Sequence, residues 1–475
     1  MTDQKPSSGA PKPRAPRQYN KDEARGEKRE RVTLSSSAQT RLYAAHAVGK
    51  VLRDKVTLEA ALSAQKGYQE LDGRDRAFAR LIAATVFRRY GQITGVLKPM
   101  LKSPPPTFPM AVLQTATAQI LFLDTAPHAA VGEAVTVLKS SSKTRGFAGL
   151  ANAVLRKVAE SGKDKAGMIA PSENIPRWLS NSWIKAYGRP AVRKMAMQLA
   201  NHPPLDFSLK DTSAEDQENW AAALEAETLP TGTLRRPRIG DVTALPGFEE
   251  GAWWAQDIAA SLPVKIMAET LAPNGDLSGK RILDLCAAPG GKTLQAAAMG
   301  ADVTAIDISQ ARLKTLSANL ERMGLSAAIL AADARKWKPE NEDELFDAVL
   351  LDAPCSATGT FRRHPDVLFN KAHTDIGKLA ALQDALLRAA ANLVKPGGTL
   401  IFCTCSIQKE EGEARIPGFL QDRPDFCLNP LTSASTVSAL PILSPEGYVR
   451  SLPQHMVEMG GMDGFFIARL TRREN

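Results

Sequence analysis

The sequence predicts a multidomain protein: an all-α amino-terminal domain, a small connecting α/β subdomain, and a carboxy-terminal α/β domain built on a doubly wound parallel sheet. Three observations lead there. At 475 residues the chain is too long for one ordinary core. Apolar residues recur at helical spacing from Ser36 to about Gly162. From about Leu262, short apolar runs alternate with helical stretches, the pattern of parallel strands joined by crossover helices. The expected divisions are a basic arm over 1–35, the helical domain over 36–165, the connecting subdomain over 166–261 and the α/β domain over 262–475.

Residues Met1 to about Arg31 carry nine Lys/Arg against five Asp/Glu and almost no large apolar side chains. Such a stretch cannot bury enough surface to fold alone. It reads as a flexible basic arm, either touching nucleic-acid phosphates or simply solvated. The whole chain has 60 basic and 51 acidic residues, a formal charge of +9 and a pI near 9.2, a balance that suits a polyanionic partner. Its five cysteines, at 286, 355, 403, 405 and 427, are odd in number and show neither a C-x-x-C pair nor zinc spacing. With no apolar leader, a disulfide scaffold and a metal site are both disfavoured, and a reducing compartment is expected. No stretch approaches the roughly 20 apolar residues of a membrane span, so the expected location is the cytoplasm.

In the helical region Phe78, Leu81, Ile82 and Val86 are placed on one face, as are Leu150, Val154 and Leu155. Pro104, Pro105 and Pro106 separate two helices, and Pro127 begins another that includes Val131, Ala134, Val135 and Leu138. From about Pro171 to Trp254 the composition changes, with Trp178, Trp183 and Tyr187 among helical residues and a strand-like stretch ending near Lys210. Trp253 and Trp254 could stack on a base, although core packing is the commoner use of tryptophan.

In the last region the expected strands are Arg281 to Cys286, Val303 to Ile306, Ala327 to Leu330, Phe346 to Leu351 and Thr399 to Cys403. Polar residues close them: Asp307, Asp333, Asp352 and Cys405. Strand ends in such sheets face the ligand crevice. The first strand runs into Cys286-Ala-Ala-Pro-Gly-Gly-Lys-Thr293, a glycine turn opening a helix. A phosphate-binding loop of the form G-x-x-x-x-G-K-[ST] would need glycine where Cys286 stands, and the dinucleotide pattern G-x-G-x-x-G is absent. A nucleoside without a pyrophosphate remains, with Asp307 placed to take ribose hydroxyls; adenosine with a sulfonium tail meets these requirements.

The run Cys286 to Lys292, followed by Asp352-Ala-Pro-Cys-Ser-Ala-Thr-Gly359 and Thr404-Cys-Ser406, resembles the bacterial Fmu/Sun-type ribosomal RNA cytosine-5-methyltransferases over nearly the whole chain beyond the first thirty or so residues. Leu71 to Arg80, Pro127 to Val131 and Phe147 to Arg156 are similar to the NusB-like RNA-binding domain that precedes the catalytic part in that family. The resemblance implies a Rossmann-like methyltransferase domain, S-adenosyl-L-methionine as cofactor, no metal, and RNA as partner, ribosomal above all. It places Cys286, Ala287, Ala288, Pro289, Gly290, Gly291 and Lys292 around the cofactor's amino-acid end, Asp307 at its ribose, Asp333 by its adenine, and Asp352 between cofactor and base. It also puts the final strand, after Gly460 and Gly461, at the sheet edge.

Cytosine C5 is a poor nucleophile, so a thiolate must first add at C6. The two candidates are Cys355 and Cys405. In the family resembled the attack comes from the Thr-Cys-Ser motif, which assigns Cys405 as nucleophile, Cys355 to loss of the C5 proton and release, and Asp352 to the base's N3 and amino edge. Arg362 and Arg363, after the Pro-Cys motif, are expected to meet RNA phosphates, and Arg74, Arg76, Arg80, Arg88, Arg89, Arg145 and Arg156 are further candidates. The competing reading is a non-catalytic RNA-binding ribosome assembly factor, opposed by the intact Cys355, Cys405 and Asp307. Because the helical domain lies outside the sheet, the catalytic part is expected to fold without residues 1 to about 165.

Overall fold

The computed structural model describes residues 1–2, 34–237, 240–341, 344–433 and 435–474, so the expected basic arm lies almost wholly outside the described residues. The chain then runs through α1 (Ser36–Asp54), α2 (Leu58–Ser63), α3 (Gly73–Arg88), α4 (Tyr90–Leu97), α5 (Thr107–Phe122), α6 (Pro127–Lys139), α7 (Ala148–Met168) and α8 (Arg177–Ala200). Local sequence sets the starts. Ser35, Thr57 and Asp72 accept a backbone N–H in the first turns of α1, α2 and α3, and Pro127 occupies the first turn of α6, where its missing N–H costs nothing. Ile82, Val86, Val154 and Leu155 are buried as their spacing predicts. Leu150 is not: it stays 38% exposed in the first turn of α7, beside Gly149, which faces open space. Helix α8 bends at Gly188, where φ is +81°, ahead of Pro190.

The connecting region contributes β1 (Leu205–Leu209), α9 (Ala214–Ala223), β2 (Glu227–Thr228), β3 (Leu234–Arg236) and β4 (Trp253–Ala255), an antiparallel sheet in the order β2-β3-β1-β4. Trp253 packs edge-on to Phe207 with ring centroids 4.7 Å apart, and Trp253 and Trp254 are both buried. Neither is open to an RNA base.

The last region comprises α10 (Ile258–Leu271), β5 (Arg281–Leu285), α11 (Gly291–Ala298), β6 (Asp302–Asp307), α12 (Gln310–Met323), β7 (Ala328–Ala331), β8 (Phe346–Asp352), α13 (His373–Ala391), β9 (Val394–Thr404), α14 (Ile416–Asp422), β10 (Phe426–Leu428), β11 (Val449–Ser451) and β12 (Phe465–Arg472). The sheet order is β10-β12-β9-β8-β5-β6-β7, with β11 also paired to β12. Strands β9, β8, β5, β6 and β7 are parallel. Strand β12 is antiparallel to β9 and is not at the edge: β10 and β11 cover its far side. The unbroken burial from Phe465 to Leu470 is what an interior strand requires. The chain steps from β5 outward to β6 and β7, then returns to β8 on the other side of β5. That reversal opens a crevice above the carboxyl ends of β5 and β8.

The helical region is not an appendage. One apolar cluster joins α1–α8 to Phe361, Val367, Leu368, Phe369 and Ile407 of the α/β region. Phe369 lies 4.7 Å from the Tyr90 ring and 5.5 Å from Phe87. Asp366 accepts from Leu58 N at 2.8 Å, Trp183 Nε1 donates to Gln408 at 2.9 Å, and the Tyr187 hydroxyl donates to Ile407 O at 2.6 Å. The separability expected from the sequence is therefore opposed by a shared core.

The arginines expected to reach RNA divide in the same way. Arg362 is 2% exposed and lies 3.5 Å from both Asp257 and Asp463, and Arg363 pairs with Asp463. Arg88 is buried, donating to the carbonyls of Leu199 and Asn201, and Arg89 donates to Ala200 O. These side chains tie elements together and cannot serve as phosphate contacts without losing buried partners. Arg74, Arg80, Arg145 and Arg156 are exposed.

A chain beginning at residue 166 should lose the Phe87 and Tyr90 rings that cover Phe369, a burial worth roughly 1.5–3 kcal/mol, and the Leu58 amide that Asp366 accepts from. We expect it to be far less soluble than the full chain and to be cleaved quickly by protease between Phe361 and Phe369. A truncated protein that resists protease there and binds cofactor like the full chain would refute the coupling.

Candidate active site

The β5–α11 turn forms the first wall. Cys286 (φ +63°) and Gly290 (φ +109°) turn the backbone, and a Cβ at Gly290 would meet Leu316 at 3.0 Å, so glycine is required there. Ala288 N donates to Asp307 Oδ2 at 3.2 Å and Ser309 N to Asp307 Oδ1 at 2.9 Å, which fixes the Asp307 carboxylate at the end of β6 against the turn. Arg312 pairs with Asp307 at 3.2 Å. The Cys286 thiol is pushed up to about 12 by burial and by the charges of Asp352 and Asp307, so this cysteine contributes backbone shape and not a thiolate.

Below the turn Asp284 is 2% exposed. Its Oδ2 accepts from Thr293 Oγ1 at 2.6 Å, while its Oδ1 has no partner. Burial raises this carboxyl to about 7 against the pull of Thr293 and Lys292. The isolated charge inside the apolar run Ile282-Leu283-Asp284-Leu285 was the sequence signal for it, and the motif reading passed over it.

Lys292 Nζ lies 2.7 Å from Asp352 Oδ2 across the crevice, joining α11 to the end of β8. Burial opposes its charge, but Asp352, Cys403 and Asp284 together outweigh burial and hold the ammonium above the ordinary lysine range. Cys403, wholly buried on β9, reaches Asp352 Oδ1 at 3.6 Å, and burial raises its thiol well above normal. Asp333, beyond β7, accepts from Arg335 Nη2 at 2.6 Å and is held at about 2 by that side chain and the Arg335 N–H.

The opposite wall carries Cys355 and Cys405. Their positions differ by 50 residues, yet their sulfurs are 3.4 Å apart. Adjacent parallel strands make this possible, because Asp352 of β8 is in register with Cys403 of β9 and both loops leave at the same end of the sheet. Gly359 N donates to Cys405 O at 2.9 Å, and a Cβ on Gly359 would fall 1.9 Å from Gly464 O, so only glycine lets the loops meet. The Cys355 thiol is pushed well up by its hydrogen bond to Cys405, by burial, and by the charges of Cys405 and Glu411.

Sequence reasoning missed Glu411 and Arg450. Glu411 is fully buried and accepts from Ser356 and Ser406, while Arg450 Nη1 donates to Ser406 O at 2.5 Å. Glu410-Glu411 reads as a solvated charge pair, and nothing local distinguishes the buried member. Among the described residues no group of three His, Cys, Asp or Glu could hold a metal ion.

Comparison with known proteins agrees with this geometry. A family model described as "16S rRNA methyltransferase RsmB/F" matches residues 268–471, and one described as "NusB family" matches residues 38–160. The chain is 33% identical to ribosomal RNA small subunit methyltransferase B of Salmonella arizonae over 404 residues, covering 82% of this chain and 91% of the relative. It is 32% identical over 457 residues to the protein of the same name from Klebsiella pneumoniae subsp. pneumoniae, covering 93% and 100%. The crystal structure of PH0851 superposes with a TM-score of 0.71 at 25% identity, covering 94% of this chain and 100% of that one. NSun6 from Pyrococcus horikoshii, at 20% identity and TM-score 0.52 over 63% of this chain and 99% of that one, shares the fold. With a crevice at the strand switch point, a glycine turn against a buried aspartate, and these matches over most of its length, the chain belongs to the RsmB/F methyltransferase family and uses S-adenosyl-L-methionine.

Proposed function

We propose that this chain, an RNA (cytosine-5-)-methyltransferase, acts on small-subunit ribosomal RNA, with Cys405 as nucleophile, Cys355 as the proton-handling partner, and Asp352 with Lys292 at the base's polar edge. The observation that carries it is the pair of sulfurs 3.4 Å apart beside the Lys292–Asp352 bridge. The residues fit the cofactor: the turn from Cys286 to Lys292 is ringed by Asp284, Asp307 and Asp352, and the orphaned Asp284 Oδ1 and the acceptor oxygens of Asp307 suit an ammonium and a ribose. When bound, the cofactor supplies an electrophilic methyl group. Asp333 is assigned to the adenine side.

The reaction then follows from side chains. Cys405 Sγ bonds to cytosine C6, which makes C5 nucleophilic. Asp352 oxygens accept from the exocyclic amino group, and Lys292 Nζ can donate towards N3. Once C5 carries the new methyl, the C5 proton leaves to a base, its bonding pair re-forms the C5–C6 double bond, and the S–C6 bond breaks with its electrons departing on the Cys405 sulfur as thiolate. Cys355, 3.4 Å from the leaving sulfur, is placed to manage that proton. The base must leave its stack to reach a thiolate, which favours single-stranded or loop RNA.

The proposed division of labour keeps the boundaries 1–35 for the basic arm, 36–165 for the NusB-like domain, 166–261 for the connecting subdomain and 262–475 for the catalytic domain. Exposed Arg74, Arg80, Arg145 and Arg156 are the remaining phosphate candidates on the helical surface. No helix among the described residues is long and apolar enough to cross a membrane. We place the protein in the cytoplasm, where its five thiols stay reduced.

Asp307→Ala should weaken S-adenosylhomocysteine binding by about 1–3 kcal/mol for each ribose hydroxyl left unpaired. Calorimetry reads this directly, and unchanged affinity removes Asp307 from the site.

Asp284 sets a pH dependence. Its carboxyl sits at about 7 because burial disfavours the charge. A cationic ligand nearby favours the ionised form, so binding should release protons near neutral pH and tighten as pH rises through about 7. Titrating cofactor in buffers of different ionisation enthalpy should show the release in the wild type and its absence in Asp284→Asn. Equal heats in all buffers for the wild type would count against it.

Cys405→Ala should abolish methylation and form no covalent adduct with substrate RNA. Cys355→Ala should still attack and methylate but release slowly, so a protein–RNA adduct accumulates on denaturing gels when cofactor is present. The reverse pattern would exchange the roles of the two thiols.

A further inference from the structure

We propose that Cys355 and Cys405 form a reversible peroxide switch: oxidation joins the two sulfurs in a disulfide that stops methylation, and a dithiol reductant reopens it. The proposal rests on the reading of these two cysteines as the reacting pair, whichever of them attacks the base. Their sulfurs are 3.4 Å apart and a disulfide bond is about 2.05 Å long, so closing the gap needs a shift smaller than the bond it forms. Both residues are half-buried, within reach of a molecule as small as hydrogen peroxide. The loops that carry them are braced against separation. The buried Glu411 carboxylate accepts from Ser356 Oγ at 2.5 Å and from Ser406 Oγ at 2.6 Å, and Gly359 N donates to Cys405 O at 2.9 Å. Ser356 adjoins Cys355 and Ser406 adjoins Cys405, so the braces act at both cysteines.

The other three cysteines are placed differently. Cys286 lies in the β5–α11 turn with its thiol pushed up to about 12, Cys403 is wholly buried against Asp352, and Cys427 donates to Thr471 O from the edge strand β10. Among the described residues only Cys355 and Cys405 bring two cysteine sulfurs into contact. The chemistry balances with one molecule of hydrogen peroxide as oxidant. A thiolate of the pair attacks one peroxide oxygen, the O–O bond breaks, hydroxide leaves, and the sulfur becomes a sulfenic acid. The neighbouring thiolate attacks that sulfur, the S–O bond breaks, and the second oxygen also leaves as hydroxide. Two electrons pass from the thiols to the peroxide, and its two oxygens end as two water molecules once the thiol protons are counted. The disulfide leaves no thiolate to add at cytosine C6. It also intercepts the sulfenic acid before a second peroxide carries it to the sulfinic acid, which a thiol does not reverse. In a reducing compartment the pair rests as two thiols, and a dithiol returns it there by taking the disulfide onto its own sulfurs.

The test uses the full chain, first reduced, then treated with hydrogen peroxide and desalted. Peptide mapping without reductant should find Cys355 joined to Cys405. RNA methylation should fall by at least about tenfold and return with dithiothreitol. Binding of S-adenosylhomocysteine, read by calorimetry, should be unchanged, because Cys286 serves the cofactor through its backbone. A map without the linked peptide, a linked peptide with full activity, or a loss that dithiothreitol does not reverse overturns the switch. Loss of S-adenosylhomocysteine binding together with activity assigns the effect to the cofactor turn and overturns it too. Cys355→Ser removes the partner, and its readout is the oxidation state of Cys405 by mass spectrometry, since this variant is itself impaired in release. There Cys405 should accumulate as sulfinic acid under peroxide that leaves it recoverable in the wild type, and equal recovery in the two proteins overturns the shielding. The linked peptide is read without turnover and the bond is symmetric, so an exchange of cysteine roles in the adduct assay leaves this result standing. An untreated enzyme that does not methylate RNA defeats the functional reading and the switch together, whereas an active enzyme with no linked peptide defeats the switch alone.

Discussion

Two thiols far apart in sequence are held within contact of each other on loops that have no regular structure of their own. The rest of the molecule can be understood as the means of holding them. Strands β8 and β9 are parallel neighbours, so the loops carrying Cys355 and Cys405 leave the sheet side by side. Parallel pairing brings them near but does not set a 3.4 Å sulfur separation. That needs the Gly359–Cys405 backbone bond, the Gly464 backbone that closes on Gly359, and the buried Glu411 carboxylate. Apart from the Glu411–Ser406 bond, each contact joins segments distant in sequence.

The amino-terminal helices belong to the same device. Trp183 and Tyr187 of α8 grip Gln408 and Ile407, just after Cys405, while Phe87, Tyr90 and the Leu58 amide hold Phe369 and Asp366, beyond Cys355. Buried ions complete the joint. Arg362 sits between Asp257, which starts α10, and Asp463, which precedes β12, and Arg235 pairs with Asp206 at 2.6 Å in the connecting sheet. Buried charges of this kind are poor sources of net stability, but removing one partner leaves the other stranded. They favour one relative placement of the segments over near alternatives. The helical region is thereby packed directly against both cysteine-bearing loops.

Around the cofactor turn the same economy of charge is visible with the sign reversed. Asp284, Asp307 and Asp352 converge on one backbone loop, where Lys292 pairs with Asp352 and Arg312 with Asp307. An acidic pocket of this kind disfavours a phosphate and favours a cation, which explains why a turn ending in Gly-Gly-Lys-Thr, superficially suited to phosphates, serves a sulfonium ligand in this fold.

Much of this was legible without coordinates. The period of the apolar residues separated a helical region from an α/β region, strand ends carried Asp307, Asp352 and Cys405, and the absence of glycine at position 286 excluded a phosphate loop; these are local properties that a linear reading can reach. The three motifs also placed Cys355 and Cys405 at one site, because parallel strands deliver their ends to a common edge. What the sequence could not decide was which charges would be buried. Arg362 and Arg88 read as solvent-facing cations and are internal ties, Arg363 is half-buried on Asp463, and Glu411 reads as half of a surface pair and is fully buried between the two cysteine loops. The final strand likewise read as an edge and lies inside the sheet. Burial of a single ionisable side chain depends on partners supplied from hundreds of residues away, and no local pattern of apolar and polar residues encodes where those partners will come to lie.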